Sequence, residues 1–200
     1  MLSWLWKKNK RDSSDSKQKI PTIDVSGPEY HDLFPSRERI VEILSEEEVL
    51  HPNVINRVAD IMMEYRGHGS RDFTTKVVRS GSLLPSDELR SLGLRANRKI
   101  GRDFVDMLST QDIDYAVKFL DSSFLFAYSE ASKLHGLRRV EELGMSHVIF
   151  SSAKDERNTD IENKFEGTRM TIEEARALLK NHGREITRSI FNADIPKDFL

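Results

Sequence analysis

Thr110–Leu143 reads TQDIDYAVKFLDSSFLFAYSEASKLHGLRRVEEL, and its apolar side chains recur every three or four residues at Ile113, Ala116, Val117, Leu120, Phe124, Ala127, Ala131, Leu134, Leu137, Val140 and Leu143. That spacing predicts one long amphipathic helix whose stripe must be covered by other helices. Gly136 is a place where it can bend or divide, at about 1 kcal/mol relative to alanine, and Gly144 predicts its end.

Working outward toward the N-terminus, the same logic predicts shorter helices. Ser36 can cap one carrying Ile40, Val41, Ile43 and Leu44, and His51-Pro52-Asn53 opens a second with Val54, Ile55, Val58, Ile61 and Met62 before Gly67-His68-Gly69 stops it. Phe73–Val78 reads as either a short strand or a helical turn, because six residues do not fix their own period. Gly81, Pro85 and Gly93 break the next region around a brief turn at Ser86. A third helix is expected from Leu94 through Leu108, carrying Ile100, Phe104 and Val105 inward and Arg95, Arg98, Lys99 and Arg102 on its exposed side as a local basic patch. No internal repeat is visible.

Toward the C-terminus, His147-Val148-Ile149-Phe150 is a strand candidate, and the polar run 151–169 reads as a loop. Thr171-Ile172-Glu173-Glu174 has capping-box spacing, with Ala175, Leu178 and Leu179 completing an apolar face before Gly183. The fold class expected is mainly α, with α+β left open: a helical domain organised by one long amphipathic helix, plus a small strand–loop–helix part at its C-terminal end.

Two hundred residues are enough for one domain with one principal core. No cysteine is present, which excludes disulfides, thiolate metal sites and cysteine nucleophiles. The formal charge of −2 provides no overall field that steers the chain toward nucleic acid. No stretch is long and apolar enough for a transmembrane helix. Residues 1–19 read as a disordered basic leader ahead of a domain at 20–200, since 7–19 carry no apolar side chain. Its apolar residues precede its lysines, the reverse of a secretory signal, so a cytoplasmic location is expected. Trp4 and Trp6 beside Lys7, Lys8 and Lys10 are suited to touching a membrane surface or a large protein partner.

No HExxH, GxxxxGK[ST], GxSxG or GxGxxG pattern occurs, and His135 and His147 have no ligand spacing with a second histidine. No cofactor and no catalytic residue is therefore assigned. Asp155, Glu156 and Asp160 offer oxygen ligands for a hard cation, but Lys154, Arg157 and Lys164 in the same run can neutralise them, and a salt-bridged loop is the expected outcome. Within 155–170, Asp155 and Arg157 can pair across a turn, Phe165 is an apolar plug, and Gly167 permits a turn. An enzyme reading uses Asp155 and Glu156, helped by His147, in a metal-dependent hydrolase or nuclease; a helical regulatory domain that binds another protein also fits.

Glu130–Met170, about a fifth of the chain, resembles the shared segment of the phage head morphogenesis (minor capsid) proteins, the family of the Mu-type F protein and the gene-7-type head protein. In that family a helix runs into a glycine, a short apolar strand, an Asp-x-Arg motif, a pair of cysteines or histidines, an apolar residue and a glycine. The corresponding residues are Glu130–Leu143, Gly144, Val148–Phe150, Asp155 and Arg157, Phe165 and Gly167. Thr159 and Glu162 stand where the family often has Cys-x-x-Cys, and its final cysteine-bearing element is missing, so zinc binding does not carry over. The resemblance implies an adaptor-like structural or assembly protein with portal or capsid protein as partner, Trp4 and Trp6 as a docking peptide, Arg95, Arg98, Lys99 and Arg102 available for acidic protein or the phosphates of packaged DNA, and a place in the host cytoplasm and the virion.

Overall fold

A computed structural model describes residues 33–194 of the chain. Ser36 opens α1 (Arg37–Ser45), its hydroxyl accepting from the Arg39 N–H at 3.2 Å, and Ile40, Ile43 and Leu44 point inward. Pro52 begins α2 (Pro52–Glu64), where its missing N–H breaks no helical bond, and Ile55, Val58, Ala59 and Met62 are buried. The ambiguous Phe73 run is helical: it belongs to α3 (Ser70–Val78), which buries Phe73, Thr74, Val77 and Val78 at helical spacing. A short α4 (Ser86–Ser91) follows at the expected turn.

The third helix expected from Leu94 to Leu108 does not form as such. Gly93, at φ +72°, ends α4 in a Schellman motif: its N–H donates to Arg90 O and the Leu94 N–H to Leu89 O. Residues 94–100 then run as a loop, and only α5 (Arg102–Asp106) is helical. The physical reason lies in backbone bonds that a helix would forfeit. Leu84 N–H donates to Ile100 O, Gly101 N–H to Val78 O, and Arg102 N–H to Ser82 O, each within 2.8–2.9 Å. Gly101 makes this approach possible, since a Cβ there would sit 1.8 Å from Ser80 O.

The long helix α6 (Ile113–Glu142) runs unbroken through Gly136; Asp112 caps its start and a second Schellman motif at Gly144 (φ +76°) ends it. Most of the predicted stripe is buried, with two corrections: Leu134 is 40% exposed and Leu143 66% exposed. Phe119, Ser123, Phe126, Glu130 and Lys133 are buried outside that stripe. The helix is thus enclosed on more than one face, as fits a central element. Its first half joins a large core containing Met62, Phe73, Phe104, Leu120 and Phe124, and its last turns, through Leu137 and Val140, join a smaller one.

The smaller core is covered by a three-stranded antiparallel sheet of order β2–β1–β3, formed by β1 (His147–Ser151), β2 (Arg169–Thr171) and β3 (Ile190–Ala193). Val148 and Phe150 are its fully buried strand residues and pack with Ile172, Ala175 and Leu179 of α8 (Ile172–His182). Thr171 caps α8 in the predicted capping box. The polar run 151–169 is not a simple loop: it contains α7 (Asp160–Phe165) and the first residue of β2. The described residues thus form a mainly helical domain with a small antiparallel sheet. Arg39 grips the buried Glu130 with two bonds of 2.8 and 2.9 Å, and Arg184 grips Glu46 at 2.7 and 3.0 Å, tying α1 both to α6 and to the segment after α8.

Candidate functional site

The segment from β1 to β2 is braced at each step. Ser152 donates from its backbone N–H and its hydroxyl to Glu166 Oε2, at 2.6 and 2.7 Å, while the Asn158 amide donates to Ser152 Oγ at 2.8 Å. Asp155 and Arg157 pair as expected at 2.8 Å, and the Arg157 N–H also donates to Asp155 at 2.9 Å. A further partner lies 33 residues on: Arg188 holds both Asp155 oxygens, at 3.1 and 2.6 Å. Arg188 first, then Arg157, holds the Asp155 carboxyl well below the usual carboxylate range. Lys154 pairs with Glu166 at 3.1 Å, whereas Lys164 lies over the Phe165 ring.

Thr159 and Glu162 form a capping box that opens α7, each side chain accepting the other's backbone N–H at 3.1 Å. The Thr159 hydroxyl also donates to Glu185 O at 3.0 Å, fastening the helix start to the post-α8 segment. The positions where the resembled family often has a cysteine pair are thus bridged by reciprocal hydrogen bonds. Glu162 is 1% exposed, and its Oε1 has no donor among the described residues. Lys133 of α6 is buried nearby, donating to Thr187 O at 2.9 Å and to Ser129 Oγ. Burial pushes the Lys133 ammonium down to about 8, opposed by attraction from Glu162. Phe165 meets Phe150 edge-on at 6.4 Å, and Gly167, at φ +72°, turns the chain so that its N–H donates to Phe150 O at 3.0 Å.

This arrangement is suited to holding a shape. Asp155 already accepts from two guanidinium groups and a backbone N–H, leaving little capacity to take a substrate proton. His147 stands at the far end of β1 from the Asp155 turn and contacts Ser146 Oγ at 2.8 Å, so the two are not brought together. Glu156 and Asp160 are exposed, and no group of three or more His, Asp or Glu side chains is placed to hold a metal ion among the described residues.

The basic residues group differently from the predicted helix face. Arg102, on α5, is held by Glu88 of α4 at 2.9 and 2.5 Å. Arg98, on the 94–100 loop, pairs with Asp114 at the start of α6. Arg95 and Lys99 on the same loop, and Arg79 at the end of α3, are exposed and have no carboxylate partner among the described residues. Sequence reading missed Arg79; the signal was available as local charge, since 66–102 carries nine Lys and Arg against three Asp and Glu, net +6 in a chain of net −2. It also missed Arg188 and Lys133, which only the fold brings to the 155–162 segment. Trp4 and Trp6 lie outside the described residues.

Searches of family models, curated proteins and solved structures find no match to this chain.

Proposed function

We propose that this chain is a non-enzymatic structural or assembly protein of a phage head, an adaptor that docks on portal or capsid protein. The observation that carries the reading is the brace across 152–188: Asp155 locked by Arg157 and Arg188, with Thr159 and Glu162 bridged beside it. A loop held rigid before association loses less entropy on binding, which supports its use as a contact surface. The same locking counts against the hydrolase alternative, in which the Asp155 carboxylate must be free to act on a proton or a metal. The partner is a protein large enough to cover the exposed side of this segment, where Glu156, Arg157 and Lys164 face solvent.

The test is genetic first. An assembly role requires the genes beside this one to encode portal and terminase proteins, and a setting with no head gene would count decisively against it. Co-expression with the encoded portal protein then reads association directly, with Arg157→Glu as the variant that reverses charge on the exposed side of the loop. The expected result is a stable complex that R157E weakens.

A further inference from the structure

Two cavities, of about 340 and 590 Å³, lie side by side between α3, the 93–100 loop and the start of α6, and they share Asn97 and Arg98. Arg79 and Lys99 line the first, Arg95 and Asp114 the second. We propose that this groove binds the sugar–phosphate backbone of double-stranded nucleic acid, with Arg79, Arg95, Arg98 and Lys99 contacting phosphates and the Asn97 amide available as a neutral donor. The inference uses the groove alone and does not depend on the assembly reading.

Three observations point to this ligand chemistry. The first is unspent charge: Arg79, Arg95 and Lys99 have no carboxylate partner among the described residues, so an anion gains their full attraction without breaking an ion pair. The second is asymmetry. With net +6 in 66–102, the rest of the chain carries 22 Lys and Arg against 30 Asp and Glu, net −8. Such a division concentrates positive charge in the stretch that supplies Arg79, Arg95, Arg98 and Lys99 to the groove, even though the whole chain is weakly acidic. The third concerns what the groove lacks: among the described residues no aromatic side chain lines either cavity. A splayed base or free nucleotide finds no stacking platform there, whereas a duplex, with its bases already stacked inside, needs only backbone contacts.

Asp114 is the single carboxylate lining the groove among the described residues. Its pairing with Arg98 fixes that guanidinium while subtracting one charge from the phosphate path. Removing that charge should therefore strengthen binding, an effect opposite in sign to general damage.

The experiment is fluorescence anisotropy on the full chain with mixed-sequence 25-base-pair DNA and RNA duplexes, the single strands of each, and vesicles containing anionic lipid, at several salt concentrations. Wild type is expected to bind duplex without sequence preference and to weaken steeply with salt. Arg79→Glu combined with Lys99→Glu should cost about tenfold or more and flatten the salt dependence. Asp114→Asn should tighten binding by roughly two- to fivefold, the direction expected when a like charge leaves the phosphate path. Lys180→Glu, exposed on α8 away from the groove, should stay within about twofold. Whichever duplex binds more tightly identifies the nucleic acid. The proposal is overturned by absence of duplex binding at low salt, by preference for single strands, by a double charge reversal that leaves affinity unchanged (which would place binding in the leader lysines), or by a reversal that affects vesicles and spares nucleic acid. Circular dichroism of each variant separates a lost contact from a lost fold.

Discussion

Leu120→Ala, Leu137→Ala and Leu134→Ala, all on α6, test whether one helix serves two cores. Leu120 is fully buried in the large core and Leu137 fully buried in the small one, while Leu134 is 40% exposed. Leucine and alanine differ little in helix propensity, so the comparison reads packing. Burying a leucine side chain is worth about 1.5–3 kcal/mol in transfer, and the cavity left by truncation adds to that, giving about 2–5 kcal/mol at each buried site. For a domain of this size, a loss of about 3 kcal/mol lowers Tm by about 6–12 °C. Leu134→Ala should cost below about 1 kcal/mol. Guanidinium titration followed by far-ultraviolet circular dichroism measures all three. A single transition is expected for each variant, because α6 is continuous and the Arg39–Glu130 and Arg184–Glu46 pairs tie the two parts together. A cost at Leu134 equal to that at Leu120, or a change below about 0.5 kcal/mol at Leu120, would refute this assignment of the buried surface.

Lys133 sets a pH dependence. Burial lowers its folded-state value to about 8 from 10.5, so between those values the unfolded chain binds more protons and stability rises with pH. The rise is on the order of 3 kcal/mol at most. Tyr128, raised to about 12 by burial, acts oppositely from pH 10 upward, where the unfolded phenol ionises first and stability falls. Denaturation series from pH 7 to 11 should therefore pass through a maximum near 10, and Lys133→Met should remove the rise. Gly101→Ala drives a Cβ against Ser80 O and should displace the 94–101 segment; a Tm equal to wild type would show that the backbone gives way freely. Phe165→Ala should cost about 1–3 kcal/mol, less than a fully buried phenylalanine, and hasten proteolysis within 152–167. Added chelator should change neither melting nor proteolysis, and stoichiometric metal in elemental analysis would contradict that expectation.

The elements legible from sequence were those with a long period or an explicit signal. Ser36, Pro52, Gly144 and the Thr171 box mark helix ends through local backbone chemistry, and the three-and-four spacing of α6 carries its own evidence of a buried stripe. Leu94–Leu108 misled because Ile100, Phe104 and Leu108 keep helical spacing while tertiary backbone bonds to 78–84 hold Ile100 and Gly101 out of the helix, which starts only at Arg102. Leu134 misled because periodicity locates a face but not how far neighbours extend along it. Within the candidate site the Asp155–Arg157 pair was readable from adjacency, whereas Arg188 and Lys133 reach the segment only through tertiary packing. The Thr159–Glu162 box carried the same signature as the Thr171 one but was overlooked in a run that looked uniformly polar. β3, at four residues, is too short to announce itself.

Light scattering on the chain mixed with the portal protein that the assembly role requires in the same genome tests that role most directly. Assembly predicts a defined complex that survives chromatography, that Arg157→Glu weakens, and that chelator leaves intact. Separate elution from both the portal and the major capsid protein of the same genome, together with a metal-dependent hydrolysis abolished by Asp155→Ala, would contradict it.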